Sequence, residues 1–284
     1  MDRAGNLTVL GAGAMGHGIA QVAAQSGYQT TLFDIDAGVL EGAVEQIAGN
    51  LAKAVAKGKI SDDDAEAARG RLRTTIELNE AVSEAGLVIE AVPERMALKK
   101  ELFAQVEAAA PKDALLGSNT SSLSLTEIAA GVTDPSRVVG LHFFNPPYIL
   151  KLLEIVRAEQ TSDQTLARAR DYGERMGREM VVVSDSPGFA TSRLGLVLGL
   201  EAIRMVEQGV ASPEDIDRAM ELGYRHPMGP LRLTDLVGLD VRLSIAEYLH
   251  RELGGEQFRP PPLLRRMVRA GKLGKKSGEG FYRW

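Results

Sequence analysis

The sequence contains no cysteine. Disulfide frameworks, thiolate nucleophiles and cysteine metal sites are therefore excluded. Histidine is scarce, with four in 284 residues, and none falls in an HxxxH or HExxH pair, so no zinc signature is present. No G-x-S-x-G supports serine hydrolase chemistry. No run approaches the roughly 18 consecutive apolar residues of a membrane-spanning helix. The net charge of −5 lacks the positive excess that general nucleic-acid binding needs. Met1 to Gly5 lead almost directly into an apolar run, which leaves no room for a signal or transit peptide. The expectation is a soluble cytoplasmic protein with no metal and neither nucleic acid nor membrane as a partner. Hydrophobic residues make up 44%, enough for one large core or two ordinary ones.

What is present is Gly11-Ala12-Gly13-Ala14-Met15-Gly16, preceded by Leu7-Thr8-Val9-Leu10 and followed by Ile19-Ala20-Gln21-Val22-Ala23-Ala24. A G-x-G-x-x-G between a strand pattern and a helix pattern is the dinucleotide-binding arrangement. Gly11 serves the tight turn, Gly13 lets a pyrophosphate approach the backbone, and Gly16 lets helix and strand pack closely. The positive end of the new helix favours the phosphates. A second strand pattern, Gln29 to Phe33, ends at Asp34, roughly 20 residues past the glycines, where an acid binds the adenosine ribose. No Arg follows closely, which favours NAD over NADP. An ordinary glycine turn would explain the motif alone, but not strand, helix and Asp34 in register.

Strand and helix patterns then alternate. Val39 to Gly58 reads as a helix on which Lys53 and Lys57 share a face, either a solvated surface or a handle for an anionic substrate tail. Ser61 is a helix cap with acids behind it. Leu87 to Val92 is a buried strand, Met96 to Ala109 a helix, and Ala114 to Asn119 a strand ending in the polar cluster Asn119-Thr120-Ser121-Ser122. That cluster is a helix cap, a ligand site beyond a strand end, or both. Arg137 to Leu141 runs into His142-Phe143-Phe144-Asn145-Pro146-Pro147, and Leu152 to Val156 and Met180 to Val183 complete the strands. The pattern predicts a Rossmann-type, doubly wound, mostly parallel α/β sheet. Past Asp185-Ser186-Pro187-Gly188 only helices are expected. Phe189 to Gln208 is apolar nearly all round and so buried, with a subunit interface one candidate for its cover. The expected domains are 1–185 and an all-helical 186–284.

For acid–base work there remain His142 and the carboxylates. His142 stands at the C-terminal end of a strand, and Glu154 lies in the next strand pattern, so the two can meet across adjacent strands. A carboxylate-held histidine keeps one tautomer and gains basicity, which suits abstraction of a hydroxyl proton. Beside NAD the natural reaction is alcohol oxidation. A core histidine would explain His142 by itself; the strand-end position next to a dinucleotide site favours the base.

These residues, with Gly18-Ile19-Ala20-Gln21, Lys151-Leu152-Leu153-Glu154, Pro187-Gly188-Phe189, His226-Pro227-Met228-Gly229-Pro230, Gly238-Leu239-Asp240 and the tail Gly274 to Tyr282, closely resemble the short-chain 3-hydroxyacyl-CoA dehydrogenase family, along essentially the whole chain. The resemblance implies that His142 is the general base, Glu154 orients it, and Ser121 binds the substrate oxygen near the nicotinamide. It implies NAD contacts from Gly11, Gly13, Ala14, Met15, Gly16, Asp34, Glu94, Lys99, Ser121, Asn145 and Lys276. Lys57 falls on a coenzyme A contact, Asn50 replaces a Ser that touches coenzyme A in some members, and Ser192 replaces an Asn that helps hold the substrate carbonyl region. An acyl-CoA substrate and a homodimer through the C-terminal domain are implied as well. A gulonate-type dehydrogenase of free hydroxy acids shares these motifs, and there Lys57→Ala would change little, whereas an acyl-CoA enzyme would show a raised KM. A non-catalytic NAD-binding protein would not need His142, Glu154 and Ser121 together.

Overall fold

The computed structural model describes residues 5–284; Met1 to Ala4, expected to lead into the first strand, lie outside the described residues. The chain divides into two compact units, the first ending at Asp185 and the second Ser186–Trp284.

The first unit runs β1 (Asn6–Leu10), α1 (Gly16–Gln25), β2 (Gln29–Phe33), α2 (Ala37–Ala56), α3 (Asp62–Gly70), β3 (Leu72–Thr75), α4 (Leu78–Val82), β4 (Leu87–Glu90), α5 (Met96–Ala109), β5 (Leu115–Ser118), α6 (Leu125–Ala129), β6 (Val138–Phe143), β7 (Leu152–Arg157), α7 (Asp163–Arg175) and β8 (Glu179–Ser184). The strands form one sheet in the order β3-β2-β1-β4-β5-β6-β7-β8. Neighbours are parallel except β6 and β7. The central strands β4, β5 and β6 are buried at every position, as expected where helices cover both faces. Leu7, Val9, Ile89, Leu115, Val139, Leu141, Leu153 and Ile155 lie in one core. Helix starts follow their caps: the Asp36 side chain accepts from the backbone N–H groups of Gly38 and Val39, and Ser61 and Asp64 form a reciprocal capping box.

The antiparallel step has a covalent origin. Every other connection passes through a helix or a long crossover, whereas Phe144 to Lys151 is a short loop, and a short loop can only return the chain antiparallel. The start of β7 therefore lies beside the end of β6.

The second unit contains α8 (Thr191–Glu207), α9 (Pro213–Tyr224), α10 (Pro230–Val237), α11 (Leu239–Leu253) and α12 (Pro262–Arg269). Among its described residues the only β pairing is the isolated bridging of Glu279 to Gly274 and Arg283. Leu196, Leu200, Ile203, Ile216, Leu231 and Leu249 form its core. Two sequence expectations change here. The helix starts at Thr191, not Phe189, because Gly188 and Phe189 both have left-handed φ values, 75° and 48°. The helix is also not buried all round: Leu194 is 71% exposed.

Four elements carry no clear sequence signal. Strand β3 is an edge strand exposed at its middle positions, so it has no apolar run to read. The short α4 offers only Ala81 and Val82 to the core. Helix α7 buries little beyond Leu166, Ala169 and Tyr172 in a polar stretch, and α12 is a short arginine-rich turn of helix with Leu264 as its buried anchor.

Candidate active site

The chain order in the sheet reverses between β1 and β4, and in open α/β sheets ligands bind beyond the C-terminal strand ends at such a point. The glycine loop after β1 lies there. Gly11 has φ 96°, and a Cβ on it would stand 2.8 Å from the Ala91 carbonyl oxygen. A Cβ on Gly16 would fall 1.7 Å from the Gly11 oxygen, so only glycine lets α1 start that close to β1. Around Gly13 nothing lies within 4 Å of such an atom; the loop's outer side is open, and Gly13 and Ala14 are exposed there with Met15 half-buried. A helix N-terminus behind an open glycine loop is the arrangement that favours a pyrophosphate. At the end of β2, Asp34 Oδ2 accepts from the Ala12 N–H at 2.8 Å, which ties the acid to the glycine loop. The residues present thus fit a dinucleotide.

Next in the sheet, β4 and β5 end in a polar network. Glu94 accepts from Thr120 Oγ1 at 2.6 Å and from the Ser121 N–H at 3.0 Å, and its Oε2 lies 3.2 Å from Lys99 Nζ. Burial pushes the Glu94 carboxyl up, but the Lys99 charge and the Thr120 and Ser121 hydrogen bonds outweigh it and hold the group below the ordinary carboxylate range. Asn119 Oδ1 accepts from the Phe143 N–H at 2.8 Å. That bond ties the loop carrying Ser121 to the end of β6, one residue beyond His142.

His142 and Glu154 are register partners across β6 and β7, so their side chains emerge on one face. Nδ1 of His142 lies 2.7 Å from Glu154 Oε2, with the side chains 7% and 0% exposed. The Phe144 ring packs at 4.4 Å from the imidazole. Nδ1–H donating to a carboxylate fixes the tautomer and puts the lone pair on Nε2. Asn145 follows, exposed, in the loop after β6. Arg178 steadies that loop by donating to the carbonyls of Pro147 and Leu150 at 2.9 and 3.1 Å.

The other residues expected from the sequence divide between this network and other parts of the fold. Lys99 is 1% exposed and held by Glu90 at 2.6 Å, so its ammonium is spent inside the protein. Lys57 caps the C-terminus of α2 and is exposed, as is Lys53. Asn50, on the same helix, donates to Gln21 Oε1 at 3.1 Å. In the second unit, Ser192 is the second residue of α8 and Lys276 Nζ pairs with Asp240 at 2.6 Å. Among the described residues no cluster of His, Asp and Glu could hold a metal ion, and no helix is long and apolar enough to cross a membrane. Glu90, Ser118 and Arg178 were not nominated from sequence. Glu90 did carry a signal, a carboxylate inside the otherwise apolar run Leu87 to Val92.

Residues 6–186 match the family model described as the NAD binding domain of 3-hydroxyacyl-CoA dehydrogenase, and residues 188–284 match that of its C-terminal domain. A probable 3-hydroxybutyryl-CoA dehydrogenase of Bacillus subtilis is 45% identical over 97% of this chain and 96% of its own. Among solved structures, FadB2 of Mycobacterium tuberculosis superposes with a TM-score of 0.96 at 44% identity, covering 99% of both chains. The (S)-3-hydroxybutyryl-CoA dehydrogenase PaaH1 of Ralstonia eutropha does so with 0.94 at 36% identity, again over 99% of both.

Proposed function

The chain belongs to the 3-hydroxyacyl-CoA dehydrogenase family, and from that premise we propose that it oxidises short-chain (S)-3-hydroxyacyl-CoA, such as 3-hydroxybutyryl-CoA, to the 3-oxoacyl-CoA, reversibly and with NAD. The observation that carries this reading is the buried His142–Glu154 pair at the end of β6, in the same sheet as a glycine loop that fits a dinucleotide.

His142 accepts the proton of the 3-hydroxyl at Nε2 while Glu154 holds Nδ1–H and stabilises the imidazolium that results. NAD, when bound, supplies the hydride acceptor. The Ser121 hydroxyl donates to the same substrate oxygen; its backbone is held for this by Glu94. Asp34 takes the adenosine ribose, and Glu94 and Asn145 flank the cofactor. Lys57 pairs a coenzyme A phosphate as an exposed point charge, with Asn50 one helix face along. For Ser192, which stands in place of an Asn, and for Lys276 the family resemblance supports roles toward the substrate carbonyl region and the cofactor respectively. The same unit carries the homodimer contact, and the cytoplasm is the compartment where NAD and acyl-CoA meet this enzyme.

The test is NAD reduction, followed by nicotinamide absorbance, with (S)-3-hydroxybutyryl-CoA beside the (R) isomer, free 3-hydroxybutyrate and gulonate. Turnover confined to the (S) thioester is expected. Turnover of a free acid, or of none of the four, would overturn the reading.

A further inference from the structure

Glu90 is the last residue of β4 and is completely buried, 0% exposed, as is the ammonium of Lys99 at 1%. Glu90 Oε1 accepts from Lys99 Nζ at 2.6 Å and from the Val92 N–H at 2.8 Å. Its Oε2 accepts from Ser118 Oγ at 2.7 Å. Its backbone oxygen accepts from the Asn119 N–H at 2.8 Å. Ser118 Oγ in turn accepts from the Thr120 N–H at 3.2 Å. Lys99 reaches across to Glu94. One carboxylate is thus wired to both polar groups at the ends of β4 and β5: Glu94, through Lys99, and the Asn119 to Ser122 loop, through Ser118.

Burying a charge pair is costly, and such a pair can commonly be replaced by apolar residues of similar size without loss of stability. Helix α5 and the fully buried strands around β4 offer ample apolar packing. Stability therefore gives no reason for a carboxylate at this point. The Glu107–Arg137 pair toward the other end of the same helix is also largely covered, at 15% and 9% side-chain exposure, but it has a structural use: Glu107 also accepts from the N–H groups of Thr133 and Asp134, a loop it fastens.

We propose that Glu90 is a positioning residue for the cofactor: through Lys99 and Ser118 it fixes Glu94 and the Ser121 loop in the geometry that holds the nicotinamide end of NAD. This rests on the NAD reading above. Lys99 then acts through Glu94, not by touching the cofactor, which accords with its burial.

The experiment titrates the full-length protein with NADH by fluorescence and measures thermal midpoints in parallel. NADH binding by the unmodified protein is the entry condition; its absence would sink the NAD reading itself, not the role of Glu90. Glu90→Gln, which keeps the shape and loses the charge, should weaken NADH binding about tenfold or more, the scale of one charge-assisted hydrogen bond. Glu107→Gln should lower the thermal midpoint with NADH affinity unchanged. The Glu90→Leu/Lys99→Met double variant removes both charges together and keeps the site folded even if Glu90→Gln does not. It should recover the thermal midpoint but still bind NADH about tenfold more weakly. Wild-type NADH affinity in the double variant, or an equal loss in Glu107→Gln, would overturn the proposal and leave the pair a purely structural one.

Discussion

At the scale of single residues, the proposed reaction rests on an imidazole whose one nitrogen is held by a buried carboxylate. Removing the base with His142→Gln should lower kcat on the order of a hundredfold or more with KM for NAD little changed. Glu154→Gln keeps a hydrogen-bond partner for Nδ1 but loses the charge that stabilises the imidazolium. Its kcat should fall in the same direction, and steady-state kinetics of the two variants checks both. Glu94 makes a separate, pH-linked prediction. Its folded-state carboxyl sits below its ordinary value of 4.5, so the unfolded chain binds a proton there before the folded chain does. The stabilisation is thus present above that value and fades as pH falls through the folded value. Thermal midpoints followed downward from about pH 5 should drop for the wild type, and Glu94→Gln should flatten part of that slope.

At the scale of elements, the site is assembled by how α1 and the loop after β6 touch. A Cβ on Gly18 would stand 2.7 Å from Pro147 Cδ and 3.0 Å from Cγ. The proline ring cannot swing aside, and the loop begins only one residue after the end of β6. Gly18→Ala should therefore push the loop outward and displace His142 and Asn145, lowering kcat by tenfold to a hundredfold, the order expected when reacting groups are misplaced by about an ångström. Gly42→Ala is the counterpart in α2, where an added Cβ meets nothing within 4 Å. It should stabilise by roughly 0.5–1 kcal/mol through the unfolded chain alone, read as a raised thermal midpoint at unchanged activity.

At the scale of the whole molecule, the second unit leaves large apolar side chains in water: Leu194 on α8 and Leu222 on α9 at 71%, Tyr224 at 76%, and Leu233 and Leu236 on α10 at about 40%. Helices α8, α9 and α10 pack on one another, so these side chains belong to one helical assembly. Exposed apolar area of this kind suits a partner surface. Light scattering should give about twice the 30.5 kDa of one chain, and Leu194→Lys with Leu222→Lys should give the monomer mass.

The sequence by itself determined the sheet's class, and it nominated the cofactor loop and the acid–base pair. Each rests on local pattern: glycines at fixed spacing between a strand and a helix, and a histidine and a glutamate in consecutive strand patterns. It also pointed to the change of character near Asp185, where strand patterns stop. What it could not supply were the facts that depend on depth. The family resemblance implies Lys99 as a cofactor contact, but only the packed sheet shows its ammonium buried against Glu90. Leu194 lies in an apolar helix that reads as covered, by the chain's own core or by a subunit interface, and only the packing of α8 shows that the chain's own core leaves it exposed. Strand β3 and helix α7 are polar enough to be silent until the sheet edge and the core recruit them. The antiparallel turn from β6 to β7 decides most. Composition places His142 and Glu154 in neighbouring strand patterns, but it is the short return loop that sets them opposite one another, because an antiparallel register alone puts the start of one strand beside the end of the last.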